Sequence, residues 1–140
     1  MYSIVLPMKK KALVIDDEAD ICYLLGSILQ QKNFQVVMAG SLRETDQILQ
    51  SSDNFGYIFL DNHLPDGLGL SYIQRLKNRF PETTLVMITA HDTSSDREKA
   101  VQIGIDSFIG KPFSKETILK MIDNSRFMNG AGENIPQIQG

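Results

Sequence analysis

Tyr57-Ile58-Phe59-Leu60-Asp61-Asn62-His63-Leu64-Pro65-Asp66-Gly67-Leu68-Gly69 is the stretch that decides the fold. Four apolar or aromatic side chains run into one carboxylate, and the chain then breaks at Pro65, Asp66 and Gly67. A short continuous apolar run predicts a strand buried on both faces, and the Pro-Asp-Gly after it predicts the turn that stops it. Asp61 then falls at the carboxyl end of an interior strand, where open α/β sheets gather ligands and chemistry. The plain alternative is an Asp that only starts a turn. Residues elsewhere in the chain decide between the two.

Outward from this stretch, strand and helix alternate five times. Ala12-Leu13-Val14-Ile15 predicts a buried strand running into Asp16-Asp17-Glu18. A helix follows over about 19–32, with Ile21, Leu24, Leu25, Ile28 and Leu29 on one face and Asn33 as a left-handed stop. Gln35 to Met38 is the second strand, and Ser41 with Glu44 three residues on forms a capping box for a helix to about Ser51. After the third strand, a helix runs over about 68–79 and ends before Pro81. Leu85 to Thr89 is the fourth strand, and a helix over about 94–103 closes at Gly104. Ser107-Phe108-Ile109 is a short fifth strand, and Ser114 caps a last helix to about Arg126.

Each crossover is long enough to hold a helix, so the strands are expected parallel and the crossovers right-handed. The fold class is therefore α/β, a five-stranded doubly wound parallel sheet with five helices on its two faces. Residues 1–8 read as an N-terminal extension, 9–127 as the folded domain, and 128–140 as a linker-like or disordered tail.

Composition bounds the function. The chain has 140 residues, 42% hydrophobic and 22% charged, which suits one soluble domain. A net charge of −3 and the lack of a basic stripe argue against direct nucleic-acid binding. No apolar run approaches the ~20 residues that span a bilayer. One cysteine, Cys22, has no internal partner for a disulfide, which fits a reducing, cytoplasmic setting. Its place in an apolar helical pattern reads as a packed thiol.

The polar residues at the strand ends carry the chemistry. The first strand supplies Asp16 and Asp17, the third Asp61, the fourth Thr89, and the fifth leads to Lys111-Pro112. With strands one, three, four and five as neighbours, these five side chains converge. Two like charges ~4 Å apart at an effective dielectric of ~20 repel by ~4 kcal/mol, so three carboxylates need a cation. All-oxygen acidic ligands suit Mg²⁺, with Mn²⁺ as a substitute. With Lys111 as a second positive charge and Thr89 as a hydroxyl donor, the site suits a phosphoryl group.

Asp16-Asp17, Asp61 followed by Pro65 and Gly69, Thr89-Ala90, and Phe108 three residues before Lys111-Pro112 resemble the receiver (CheY-like) domain of bacterial two-component response regulators. The resemblance covers roughly residues 9–127. It implies the flavodoxin-like strand order 2-1-3-4-5. It implies that Asp61 is the nucleophile that takes a phosphoryl group from a histidine kinase or histidine phosphotransfer protein. Asp16, Asp17 and Asp61 would hold Mg²⁺, with the backbone carbonyl of His63 as a further ligand. Lys111 would pair with Asp61 and then with a phosphoryl oxygen, through a cis Lys111–Pro112 bond. Thr89 would move to the phosphoryl group, and Phe108 would swing inward into the space Thr89 leaves. The face of the fourth helix, fifth strand and fifth helix would then act on an output domain, a downstream protein or a second copy in a homodimer.

Such a domain catalyses its own phosphorylation and dephosphorylation and is not a turnover enzyme on a separate substrate. His63 and His91, two residues after Asp61 and Thr89, flank the pocket and would tune attack by water. Ile105, where the family often has a small residue, carries only a packing consequence. Other classes fit less well. A nucleotide- or flavin-binding protein would place glycines or hydroxyls after the first strand, where this chain has Asp16-Asp17-Glu18. A metal-dependent phosphatase would need a second acid/base group and a substrate pocket. A receiver-like protein-binding scaffold that is never phosphorylated is opposed by Asp61, Thr89 and Lys111 occurring together.

Overall fold

The structure is a computed structural model that describes residues 10–51, 54–90 and 93–131, with side chains of the last helix described to residue 123. Its centre is β3 (Tyr57–Asp61), in which all five residues are buried. A strand with no polar face must be covered on both sides. β1 (Lys10–Ile15) pairs with it parallel from Ala12↔Tyr57 to Ile15↔Leu60. On the other side β4 (Thr84–Thr89) pairs parallel from Tyr57↔Thr84 to Asp61↔Ile88. β2 (Phe34–Ala39) and β5 (Ser107–Gly110) are the edges, giving the expected order β2-β1-β3-β4-β5.

Side-chain alternation along the strands sorts the core into two layers. Leu13, Ile15, Ile58, Leu60, Leu85, Met87 and Phe108 face one way, against Leu42 and Leu49 of α2 (Leu42–Ser51), Ile73 and Leu76 of α3 (Ile73–Arg79) and Ala100 of α4 (Ser94–Ile103). Ala12, Val14, Tyr57, Phe59, Val86, Ile88 and Ile109 face the other way, against α1 (Ala19–Gln31) and α5 (Lys115–Ala131). Burying each large side chain contributes about 1.5–3 kcal/mol, so the doubly covered β3 is the main anchor of the sheet.

The punctuation follows local chemistry. Asn33 takes the left-handed conformation (φ 66°) that ends α1, as its sequence position predicts. Ser41 Oγ accepts the Glu44 N–H, while Glu44 reaches back to the Gly40 N–H. α5 continues to Ala131 where the sequence reading ends it near Arg126. Residues 1–8 and 132–140 lie outside the described residues.

The chain departs from expectation just after β3. His63–Leu64 and Gly67–Leu68 form a two-residue antiparallel ladder around the Pro65-Asp66 turn. The predicted helix over about 68–79 opens instead with a 3₁₀ turn, Gly69–Tyr72, before α3 begins at Ile73. Buried Asn62 explains this. Its backbone carbonyl accepts the Gly69 N–H at 2.8 Å and its side-chain oxygen accepts the Leu70 N–H at 2.9 Å. These amides are bound to the loop. Asp66 fixes the loop from its other end, accepting the Leu42 and Arg43 N–H groups at 2.9 Å each and so capping α2 from a distance. Those two hydrogen bonds hold the Asp66 carboxyl below its ordinary pKa.

Candidate functional site

All the polar groups singled out at the strand ends lie at the carboxyl edge of the sheet. Asp16 follows β1 directly, and its N–H is held by the Ala39 carbonyl of β2 at 2.9 Å. Asp61 closes β3, level with Ile88. Thr89 closes β4, and its carbonyl accepts the Lys111 N–H at 3.0 Å, which brings the segment after β5 alongside. The Lys111–Pro112 bond is cis.

Burial makes this cluster electrostatically demanding. Asp16, Asp61 and Thr89 are all buried, and the Lys111 side chain is only 8% exposed. Its ammonium lies 2.7 Å from Asp16 Oδ2, 2.8 Å from Glu18 Oε1 and 3.4 Å from Asp61 Oδ2. Burial alone pushes the Lys111 pKa down. The close contacts of the ammonium with the Asp16 and Glu18 carboxylates, together with the charge of Asp61, outweigh it, so the ammonium ends above its ordinary value. Burial raises the Asp61 pKa, and the neighbouring Asp16 charge raises it further, against the pull of Lys111.

One ammonium does not balance this site. Carboxylate oxygens of Asp16, Glu18 and Asp61 all lie within 4.8 Å of one another, so three negative charges face one positive. Asp16 Oδ1 accepts the Glu18 N–H, whereas Asp16 Oδ2 is fully buried and receives no directed hydrogen bond. Lys111 approaches Oδ2 to ion-pair distance without hydrogen-bond alignment, so the distance describes charge attraction and leaves a lone pair to fill. An orphaned carboxylate oxygen among hard oxygen donors fits a divalent cation. The cluster is a candidate divalent-metal site.

Not every predicted residue sits where the sequence suggested. Asp17 is exposed, and the close trio contains Glu18 in its place. The His63 imidazole is exposed, while its N–H lies 3.4 Å from Asp61 Oδ1. His91 lies outside the described residues. Phe108 is buried beneath α4. Two contributors escaped the sequence reading. Glu18 was visible only as the third acid of Asp16-Asp17-Glu18, and Asn62 only as the neighbour of Asp61.

A family model, the response regulator receiver domain, matches residues 12–123. The chain belongs to that family. This receiver domain is 30% identical over 129 residues to the response regulator protein PilR of Pseudomonas aeruginosa, covering 91% of this chain and 29% of PilR. It is 31% identical over 138 residues to the phosphate regulon transcriptional regulatory protein PhoB of Escherichia coli, covering 95% of this chain and 59% of PhoB. The receiver thus spans less than two thirds of either relative.

Among solved structures, the receiver superposes with a TM-score of 0.75 and 27% identity on a Burkholderia pseudomallei response regulator with a phosphorylated aspartic acid, calcium ion and citrate. That match covers 90% of this chain and 75% of the other. A CheY-like receiver domain from Methanospirillum hungatei gives a TM-score of 0.81 at 21% identity, covering 90% and 100%, and supports the fold.

Proposed function

We propose that this receiver takes a phosphoryl group onto Asp61 in a Mg²⁺-dependent reaction and passes the change to a partner through α4, β5 and α5. The observation that carries the reading is the convergence of buried Asp61 and Asp16 on Lys111, with Asp16 Oδ2 fully buried and met only by the Lys111 ion pair. The phosphorylated aspartate and calcium ion in the Burkholderia relative support it.

Asp61 supplies the attacking oxygen. A bond forms from that oxygen to phosphorus as the bond to the donor's histidine nitrogen breaks, and the electron pair leaves with the donor. Phosphoryl transfer is loose, so positioning and charge neutralisation do most of the catalysis. Lys111 stands ready to neutralise one phosphoryl oxygen, and the Thr89 hydroxyl stands at the neighbouring strand end. Asp16 and Asp61, with Glu18 or Asp17 and the His63 carbonyl, would hold Mg²⁺, which when bound neutralises phosphoryl charge. The donor is a histidine kinase or histidine phosphotransfer protein, and the output is a further domain or a separate protein. Residues 9–127 form the working unit, in the cytoplasm. Among the described residues no helix is long and apolar enough to cross a membrane. His63, exposed and two residues after Asp61, would tune attack by water on the product.

The test is incubation with acetyl phosphate, followed by intact mass. A gain of one phosphoryl group is expected with Mg²⁺, falling at least about 100-fold in rate when the metal is chelated. No gain under either condition refutes the reading and favours a scaffold that binds partners unphosphorylated.

A further inference from the structure

Asn62 stands between Asp61 and His63 in the chain and is only 2% exposed. An amide side chain taken out of water to that degree costs stability unless it is hydrogen-bonded. Its Oδ1 accepts the Leu70 N–H at 2.9 Å, and its backbone carbonyl accepts the Gly69 N–H at 2.8 Å. Gly69 and Leu70 open the 3₁₀ turn, so these two N–H groups have no partner within it. One residue therefore closes the loop 62–70 at its base, with a main-chain and a side-chain acceptor holding consecutive amides. The tip of the loop is pinned separately, where Asp66 accepts the Leu42 and Arg43 N–H groups at 2.9 Å each. His63 lies inside this closed loop, with its N–H 3.4 Å from Asp61 Oδ1.

We infer that the Asn62 side chain is a positioning group that fixes the His63 peptide against the Asp61 carboxylate through its hydrogen bond with the Leu70 N–H. The inference rests on the reading of Asp61 as phosphoryl acceptor and of the His63 carbonyl as a metal ligand. The Asn62 carbonyl and the His63 N–H belong to one planar peptide group. The Gly69 N–H grips that plane from one edge, and the His63 N–H on the opposite edge faces Asp61 Oδ1. A single hydrogen bond acts as a hinge about which the plane can rock. The second bond, from the Leu70 N–H to the side chain, turns the hinge into a clamp. Leucine at position 62 would fill a similar volume but offer no acceptor, so the Leu70 N–H would lose its partner and only the hinge would remain. Groups that orient metal ligands from behind in this way typically change metal affinity or rate 10- to 100-fold.

The test uses the full chain and the variants Asn62→Leu and Asn62→Asp. Without metal or phosphodonor, amide exchange at His63, Gly69 and Leu70 is measured by NMR. Mg²⁺ binding is then measured by calorimetry, and phosphoryl uptake is followed against acetyl phosphate concentration at saturating Mg²⁺. Asn62→Leu is expected to speed exchange at His63 and Leu70, weaken Mg²⁺ binding and lower the limiting uptake rate, each by about tenfold. The half-saturating acetyl phosphate concentration should stay within about twofold, because the donor's own contacts are untouched. Asn62→Asp keeps the acceptor and adds a charge that favours a cation, so it should retain slow exchange and bind Mg²⁺ at least as tightly as the parent. Asn62→Ala carries the same expectations as leucine if the leucine variant does not fold. A leucine variant that melts lower but keeps parent-like Mg²⁺ affinity and uptake overturns the inference. So does an aspartate variant as impaired as the leucine one. A parent that neither binds Mg²⁺ nor takes up a phosphoryl group refutes the proposed function, while exchange at His63 still judges whether Asn62 holds that peptide.

Discussion

Asp61→Asn takes up no phosphoryl group from acetyl phosphate, and at pH 7 it melts at a higher temperature than the parent. The first result follows because an amide oxygen is not a nucleophile of comparable strength and the asparagine side chain removes the only carboxylate at the end of β3. The second follows from the strain that the site places on its own carboxylates. Burial, and then the charge of Asp16, push the Asp61 pKa above its ordinary value. A carboxyl raised in this way stabilises the fold while protonated and loses that contribution as pH rises through its folded-state value. Above that value the charged form opposes folding, and asparagine removes the opposition while Lys111 keeps Asp16 and Glu18. The difference in melting temperature should shrink as pH falls toward about 4, where the unfolded carboxyl also holds its proton. Equal melting temperatures across that range, or uptake by the asparagine variant, would contradict this account of Asp61.

Gly69→Ala is expected to damage stability and chemistry together. A Cβ at residue 69 would meet the backbone oxygen of Asp61 at 2.3 Å and Leu60 Cγ at 3.0 Å. The first obstacle is main chain at the end of the central strand, so it cannot rotate away as a flexible side chain could. Overpacking usually costs about 1–3 kcal/mol, and a clash with backbone belongs at the upper end, near 3 kcal/mol. For a chain of this size that is a fall in melting temperature of roughly 10 °C. The loop must also release the Gly69 N–H from the Asn62 carbonyl, which shifts Asp61 against Lys111. Displacement of a reacting group by about 1 Å can slow a reaction about 100-fold. Thermal melts and phosphoryl uptake on the same preparation check both parts; parent-like values for both would show that the close approach is unimportant.

Much of this was legible because it depended on runs and ends. Tyr57-Ile58-Phe59-Leu60 has no polar face, so the chain had to cover it twice, and Asp61 had to emerge at the ligand-binding edge. Lys111 followed from its place after the last strand, and its ion pair with Glu18 joins residues 93 positions apart that the parallel sheet brings together. What could not be read depended on local direction. Asp17 and Glu18 are adjacent acids, and only the folded loop shows that Glu18 reaches the Lys111 ammonium, at 2.8 Å. Asp66 reads in the sequence as a turn residue, and Asn62 only as the neighbour of Asp61. Their work, diverting the amides of Gly69 and Leu70 and capping α2 across a gap of 24 residues, needs the folded loop to be visible.

The central claim is that Asp61, and no other carboxylate of the cluster, carries the phosphoryl group. It is tested most directly by treating the protein with acetyl phosphate and Mg²⁺, reducing with borohydride, and mapping the peptides. Reduction converts an aspartyl phosphate to homoserine, so the account predicts homoserine at position 61 alone. Homoserine at Asp16 or Asp17, reduction at Glu18, or an unmodified peptide map would contradict it.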